Sequence, residues 1–93
     1  MNKYESVIII NSSLEEAKIK ETVEKFSNLI NENGKVESLE EVGTKKLAYE
    51  IKKQNEGYYC LVNFEANSTF ITELERIYKI TDEVIKFLVI RKD

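Results

Sequence analysis

The spacing of apolar positions changes along the chain, and each change marks an element. Val7 to Ile10 is a continuous β-branched run inside Lys3 to Asn11, which suits a strand buried on much of both faces. Asn11-Ser12-Ser13 then signals a helix start. Ser12 with Glu15, or Ser13 with Glu16, fits the reciprocal capping box. The two glutamates also suit the positive end of the helix dipole. Ile19, Val23, Phe26 and Ile30 follow at spacings of four, three and four, with Glu21, Glu24 and Lys25 between them. That is one apolar stripe on a helix of several turns. Asn33-Gly34 is read as its stop, with the glycine expected in the left-handed region.

From Lys35 to Lys52 the pattern is that of a long strand, bulged near Gly43. Leu47, Tyr49 and Ile51 alternate with Lys46, Ala48, Glu50 and Lys52. This period of two predicts a half-buried strand with Leu47 and Tyr49 in the core. Lys53-Gln54-Asn55-Glu56-Gly57 reads as a polar hairpin loop closed by glycine. Tyr58 to Phe64, rich in aromatic and β-branched residues, reads as the returning arm. Asn67-Ser68-Thr69 caps a second helix, whose inner face carries Phe70, Ile71, Leu74, Ile77 and Tyr78. Val84 to Ile90 is an apolar strand, followed by the charged Arg91-Lys92-Asp93.

The order strand, helix, strand, strand, helix, strand predicts an α+β domain of the ferredoxin-like, split βαβ type. Both helices have a single apolar face, so they are expected on one side of a four-stranded antiparallel sheet. The other sheet face is then open to solvent or to a partner. Residues 1–93 are read as a single domain, since the chain has no linker, repeat or low-complexity tract.

Composition narrows the function. The 14 basic and 17 acidic residues give a net charge of −3. That argues against coating nucleic acid by bulk electrostatics, so any RNA contact must be local or shared with a basic partner. No apolar run approaches the ~20 residues that span a bilayer, and the N-terminal apolar run is too short for a signal peptide. A cytoplasmic location is expected.

Candidate chemistry is sparse. Histidine is absent, which removes the commonest general base and the commonest zinc ligand. Cys60 is the only cysteine and lies in an apolar run, as a buried structural thiol does. Glu40 and Glu41 point to opposite faces of a strand, and Glu73 and Glu75 do not face each other on a helix. No phosphate loop or metal-ligand spacing occurs. The expectation is a protein that is not an enzyme, with no catalytic residue, metal, cofactor or small-molecule substrate. Acylphosphatase-type enzymes share this element order, but the segment after the first strand has neither their arginine nor their glycine. The RNA-recognition motif also shares it, but Glu56-Gly57-Tyr58-Tyr59-Cys60-Leu61-Val62-Asn63 matches its third-strand signature poorly.

A closer resemblance runs over nearly the whole chain. Lys3-Tyr4-Glu5 before an apolar strand, and Glu41-Val42-Gly43-Thr44-Lys45-Lys46-Leu47-Ala48-Tyr49-Glu50-Ile51, resemble the bacterial small-subunit ribosomal protein six family. Gly57-Tyr58-Tyr59 and Thr81-Asp82-Glu83-Val84 sit where that family has related residues. Glu50 departs from it, standing where proline is usual. The resemblance implies a structural constituent of the small ribosomal subunit. It would bind small-subunit ribosomal RNA together with ribosomal protein eighteen, as a heterodimer. It also makes Lys3, Lys45 and Lys46 the first candidates for RNA-phosphate contacts, with Arg91 and Lys92 next. The alternative, from the fold alone, is a ferredoxin-like regulatory or oligomeric binding module that uses its open sheet face.

Overall fold

A computed structural model describes residues 1–92. Its elements are β1 (Asn2–Asn11), α1 (Glu16–Asn33), β2 (Gly34–Ile51), β3 (Gln54–Ala66), α2 (Ser68–Ile80) and β4 (Val84–Arg91). The strands form one antiparallel sheet in the order β2-β3-β1-β4. This is the split βαβ arrangement, with both helices packed on one face.

The core lies between that face and the helices. From β1 it takes Tyr4, Ile8 and Ile10, from β3 Cys60, Val62 and Phe64, from α1 Ile19, Val23, Phe26 and Ile30, and from α2 Phe70, Leu74 and Tyr78. The two helical stripes read from the sequence are therefore the buried faces. Rings pack within and between the layers: Phe26 of α1 meets Tyr78 of α2 edge-on at 4.7 Å, Tyr4 of β1 stacks on Phe64 of β3 at 5.6 Å, and Tyr78 meets Phe87 of β4 at 5.1 Å, which ties helix to sheet. Ser6 is fully buried in β1, and its hydroxyl shares a 2.9 Å hydrogen bond with that of Tyr78. The bond satisfies two polar groups that would otherwise destabilise the interior.

Several local expectations are overturned. The α1 start uses no capping box. Its N-cap is Glu15, with no side-chain cap bond, and Asn11 Oδ1 instead accepts from the Ser13 amide and hydroxyl. The α2 start falls at Asn67 as read, again without a side-chain cap bond. Gly34 is extended, at φ −175°, rather than left-handed. Its reason is close approach: a Cβ there would lie 2.1 Å from the Glu65 carbonyl oxygen. Gly43 does mark a bulge in β2 and sits at φ +101°.

The β2–β3 hairpin departs most from the sequence reading. Lys46 pairs with Glu56 and Ile51 with Gln54, so four residues of β2, 47 to 50, stand against Asn55 alone. The turn is Lys52-Lys53, both at positive φ, and Gly57 lies within β3. Positive φ at both central residues is what a type I′ turn requires. The wide bulge swings the hairpin end over the helix-free sheet face. There Leu47 buries against Ile9 and Ile85, with Ile51 and Tyr59 alongside. A Cβ on Gly57 would sit 2.3 Å from Ile9 Cγ2, so its missing side chain makes room for this cluster. Tyr49, expected in the core, is 64% exposed. Leu47 is buried as expected, but in this second cluster rather than under the helices.

Candidate nucleic-acid interface

The five lysine and arginine candidates separate into two groups at opposite ends of the sheet. Lys3 and Arg91 lie at one end because β1 begins there and β4, antiparallel to it, finishes there. The Lys92 amide donates to the Lys3 carbonyl at 2.8 Å, which continues the ladder by one residue. Lys3 and Lys92 rise on the open face, in a cleft of about 430 Å³ shared with Tyr4, Glu37, Ser38 and Asn63. Lys92 Nζ donates to Asn63 Oδ1 at 3.2 Å, and Asn63 Nδ2 donates to Ser38 Oγ at 3.1 Å. Lys3 Nζ stands 4.0 Å from Glu65. Arg91 pairs in register with Tyr4 and points to the helix side, where its guanidinium donates to Asn2 Oδ1 at 3.0 Å.

Lys45 and Lys46 occupy the other end, opposite Gly57 and Glu56. Gly57 and Glu65, the partner of Lys3, are eight positions apart along β3. At strand rise this is about 26 Å, so the two groups cannot hold one phosphate. Neighbours on a strand also point to opposite faces. Lys45 therefore shares the open face with Leu47, whereas Lys46 projects to the helix side. The structure brings Lys3 and Lys92 onto one surface and separates Lys45 from Lys46.

Three basic residues at the Lys45 end escaped the sequence reading: Lys52 and Lys53 in the turn, and Lys86 on β4. Lys86 Nζ donates to the Tyr49 hydroxyl at 3.1 Å and lies 5.4 Å from the centre of that ring. Lys52 Nζ donates to the Val84 carbonyl at 3.3 Å. The adjacent Lys52-Lys53 pair was the available signal. The reach of the hairpin to β4 was not visible in the sequence, because it depends on the bulge.

Between the two basic ends the open face is apolar along β4. Leu88 is 53% and Ile90 44% exposed. Leu88 also helps line a small cleft of about 150 Å³ with Val7, Ile9, Phe87 and, at its basic end, Lys86. Among the described residues, no group of three or more His, Cys, Asp or Glu side chains is placed to hold a metal ion, and no helix is long and apolar enough to cross a membrane. Cys60 is buried, and that burial, with the Glu41 charge behind it, pushes its thiol up to about 11. At neutral pH it is a protonated, unreactive group.

Comparison with known proteins fits this geometry. The pattern of the family described as Ribosomal protein S6 matches residues 3–91. The chain belongs to the ribosomal protein S6 family. The small ribosomal subunit protein bS6 of Clostridium novyi is 48% identical over 94 residues, covering 100% of this chain and 99% of that protein. The bS6 of Alkaliphilus oremlandii is 50% identical over 91 residues, covering 98% and 97%. The crystal structure of 30S ribosomal protein S6 from Thermotoga maritima superposes with a TM-score of 0.93 at 36% identity, covering 98% of this chain and 87% of that one. A protein of Arabidopsis thaliana, 18% identical with a TM-score of 0.57, shares the fold alone. Within the S6 family the chain is a protein of the small ribosomal subunit.

Proposed function

We propose that the chain is a structural, non-catalytic part of the cytoplasmic small subunit and binds its ribosomal RNA jointly with ribosomal protein eighteen. The single observation that carries this reading, beyond family membership, is the layout of the helix-free face. Basic side chains stand at both ends of an apolar strip that includes Leu88 and Ile90. Exposed apolar side chains gathered on one face suit a protein partner. Flanking lysines suit phosphates, which they contact as point charges. In this reading Lys3 and Lys92 serve one stretch of RNA and Lys45 another, about 26 Å away. Arg91 and Lys46 reach RNA from the helix-side rims. The net charge of −3 supports a shared interface, with the partner supplying most of the positive field.

Co-purification tests this. The tagged chain should sediment with small-subunit particles and bring a small basic protein with it. A soluble homodimer that never enters the particle would exclude the proposal and favour the regulatory-module reading. Lys45→Glu should weaken RNA binding by the chain with its partner and make its salt dependence less steep by about one unit of log–log slope. An unchanged slope would remove Lys45 as a contact.

A further inference from the structure

Beyond the candidate lysines, a cleft of about 300 Å³ opens at the outer edge of β4. It is lined by Lys52, Tyr78, Lys79, Val84, Ile85, Lys86 and Phe87. Its three lysines come from three separate elements: the β2–β3 turn, the last turn of α2, and β4. The lining contains no carboxylate, although acidic residues outnumber basic ones in the chain as a whole. Among the described residues none of the three lysines has a carboxylate partner within 4.0 Å. Lys52 donates to a backbone carbonyl, and Lys86 to a phenol. Lys25, Lys35, Lys45, Lys46 and Lys53 have no such ion pair among these residues either, so what marks this site is the convergence of three such lysines on one cleft.

A second observation concerns the turn. Lys52 and Lys53 hold φ +49° and +65°. For residues with a side chain the left-handed region costs roughly 1–2 kcal/mol each. Asn-Gly serves the same turn with little strain. Residues held in this way cluster at functional sites. Here the left-handed Lys52 brings a third ammonium-bearing side chain to the cleft that Lys79 and Lys86 also line. Three lysines around one cleft with no carboxylate in its lining favour an anion, and Val84, Ile85 and Phe87 give the cleft an apolar floor.

We infer that Lys52, Lys79 and Lys86 form a third phosphate site, which clamps one backbone phosphate of RNA against the edge of β4. This rests on the RNA-binding reading above. The cleft lies at the Lys45 end of the sheet and continues the basic track around the hairpin tip to the helix side. The three ammonium groups act as point charges, with no base contact.

The test is equilibrium binding of small-subunit ribosomal RNA to the chain with ribosomal protein eighteen, measured from 0.05 to 0.3 M salt. The chain is compared with Lys79→Gln and with the triple change K52Q/K79Q/K86Q. One lost phosphate contact makes the log–log salt slope less steep by about 0.9 and weakens binding roughly fivefold to tenfold at 0.1 M salt. Lysine acylation read by mass spectrometry should show Lys52, Lys79 and Lys86 protected when RNA is bound. Lys79→Gln touches only an exposed position, so its folding is secure if the triple variant proves unstable. Wild-type binding with an unchanged slope in Lys79→Gln and no protection of the three lysines would overturn the site and leave the RNA-binding reading standing. Absence of any RNA binding by the wild-type pair would overturn both. Equal protection by millimolar inorganic phosphate alone would mark a small-anion site and overturn the assignment to RNA.

Discussion

Gly57 offers the sharpest stability test, because its role in the structure differs from its role in the sequence pattern. As a loop-closing glycine it would accept alanine with little change, or with a small gain in strand propensity. In the structure it lies within β3, and a Cβ would sit 2.3 Å from Ile9 Cγ2, 3.4 Å from Ile85 Cδ1 and 3.5 Å from Leu47 Cδ2. The first contact cannot stand unrelaxed, and Ile9 is in the centre of the second cluster, only 7% exposed. Overpacking of this kind costs roughly 1–3 kcal/mol. Relief of the glycine's unfolded-state entropy returns about 0.5–1. Gly57→Ala should therefore destabilise by about 1–2 kcal/mol. With a urea m-value of about 1–3 kcal/mol/M, the unfolding midpoint should fall by roughly 0.5–1 M. The double variant with Ile9→Ala removes the colliding methyl, so the two losses should fail to add by about 1 kcal/mol or more. A Gly57→Ala protein as stable as the parent, or losses that simply add, would refute the account of this face.

The neighbouring hairpin gives further tests. Leu47→Ala empties part of the same cluster and should cost about 2–3 kcal/mol, near the lower end for buried leucines. Tyr49→Ala, which removes an exposed ring and its lysine contact, should cost under about 1 kcal/mol in the same urea titration; a larger loss for Tyr49 would reverse the assignment. Replacing Lys52-Lys53 by Asn-Gly relieves two left-handed lysines and should raise stability by about 1–2 kcal/mol, seen as a rise in Tm of several degrees. Stability should also fall in alkali. Burial holds the Cys60 thiol up at about 11, against 9.0 in an open chain. Burial, then the hydrogen bond to the Glu41 carboxylate and its charge, holds the Tyr58 phenol up at about 12, against 10.0. Both groups keep their protons longer in the folded state, so their contribution is complete below pH 9 and is lost as pH rises through 11 to 12. Urea midpoints that stay flat from pH 8 to 12 would contradict this, and Glu41→Gln should soften the decline.

The element order and both helical faces were legible because each rests on a local period that tertiary packing did not override. The stripe Ile19, Val23, Phe26 and Ile30 needed only the period of the helix. Tyr49 was misplaced for a definite reason: strict alternation from Leu47 to Ile51 assumes continuous pairing, and a four-against-one bulge breaks it. The roles of Gly34 and Gly57 were hidden because close approach depends on Glu65 and Ile9, which are distant in sequence. Ser6 inside an apolar strand likewise made sense only once Tyr78 was seen across the core. At the candidate interface, the resemblance proposed Lys3, Lys45, Lys46, Arg91 and Lys92 but not Lys52, Lys53, Lys79 or Lys86, and the grouping of these residues was not visible in the chain. Register separates Lys45 from Lys46 and joins Lys3 to Lys92, and the convergence of Lys52, Lys79 and Lys86 requires the folded hairpin.

The central claim is joint recognition of ribosomal RNA, and one titration tests it most directly. Labelled small-subunit ribosomal RNA is titrated with the chain alone, with ribosomal protein eighteen alone, and with an equimolar mixture, at one salt concentration. The account predicts that the acidic chain alone binds weakly and that the mixture binds far more tightly than either component. Equal binding by ribosomal protein eighteen with and without the chain would contradict it.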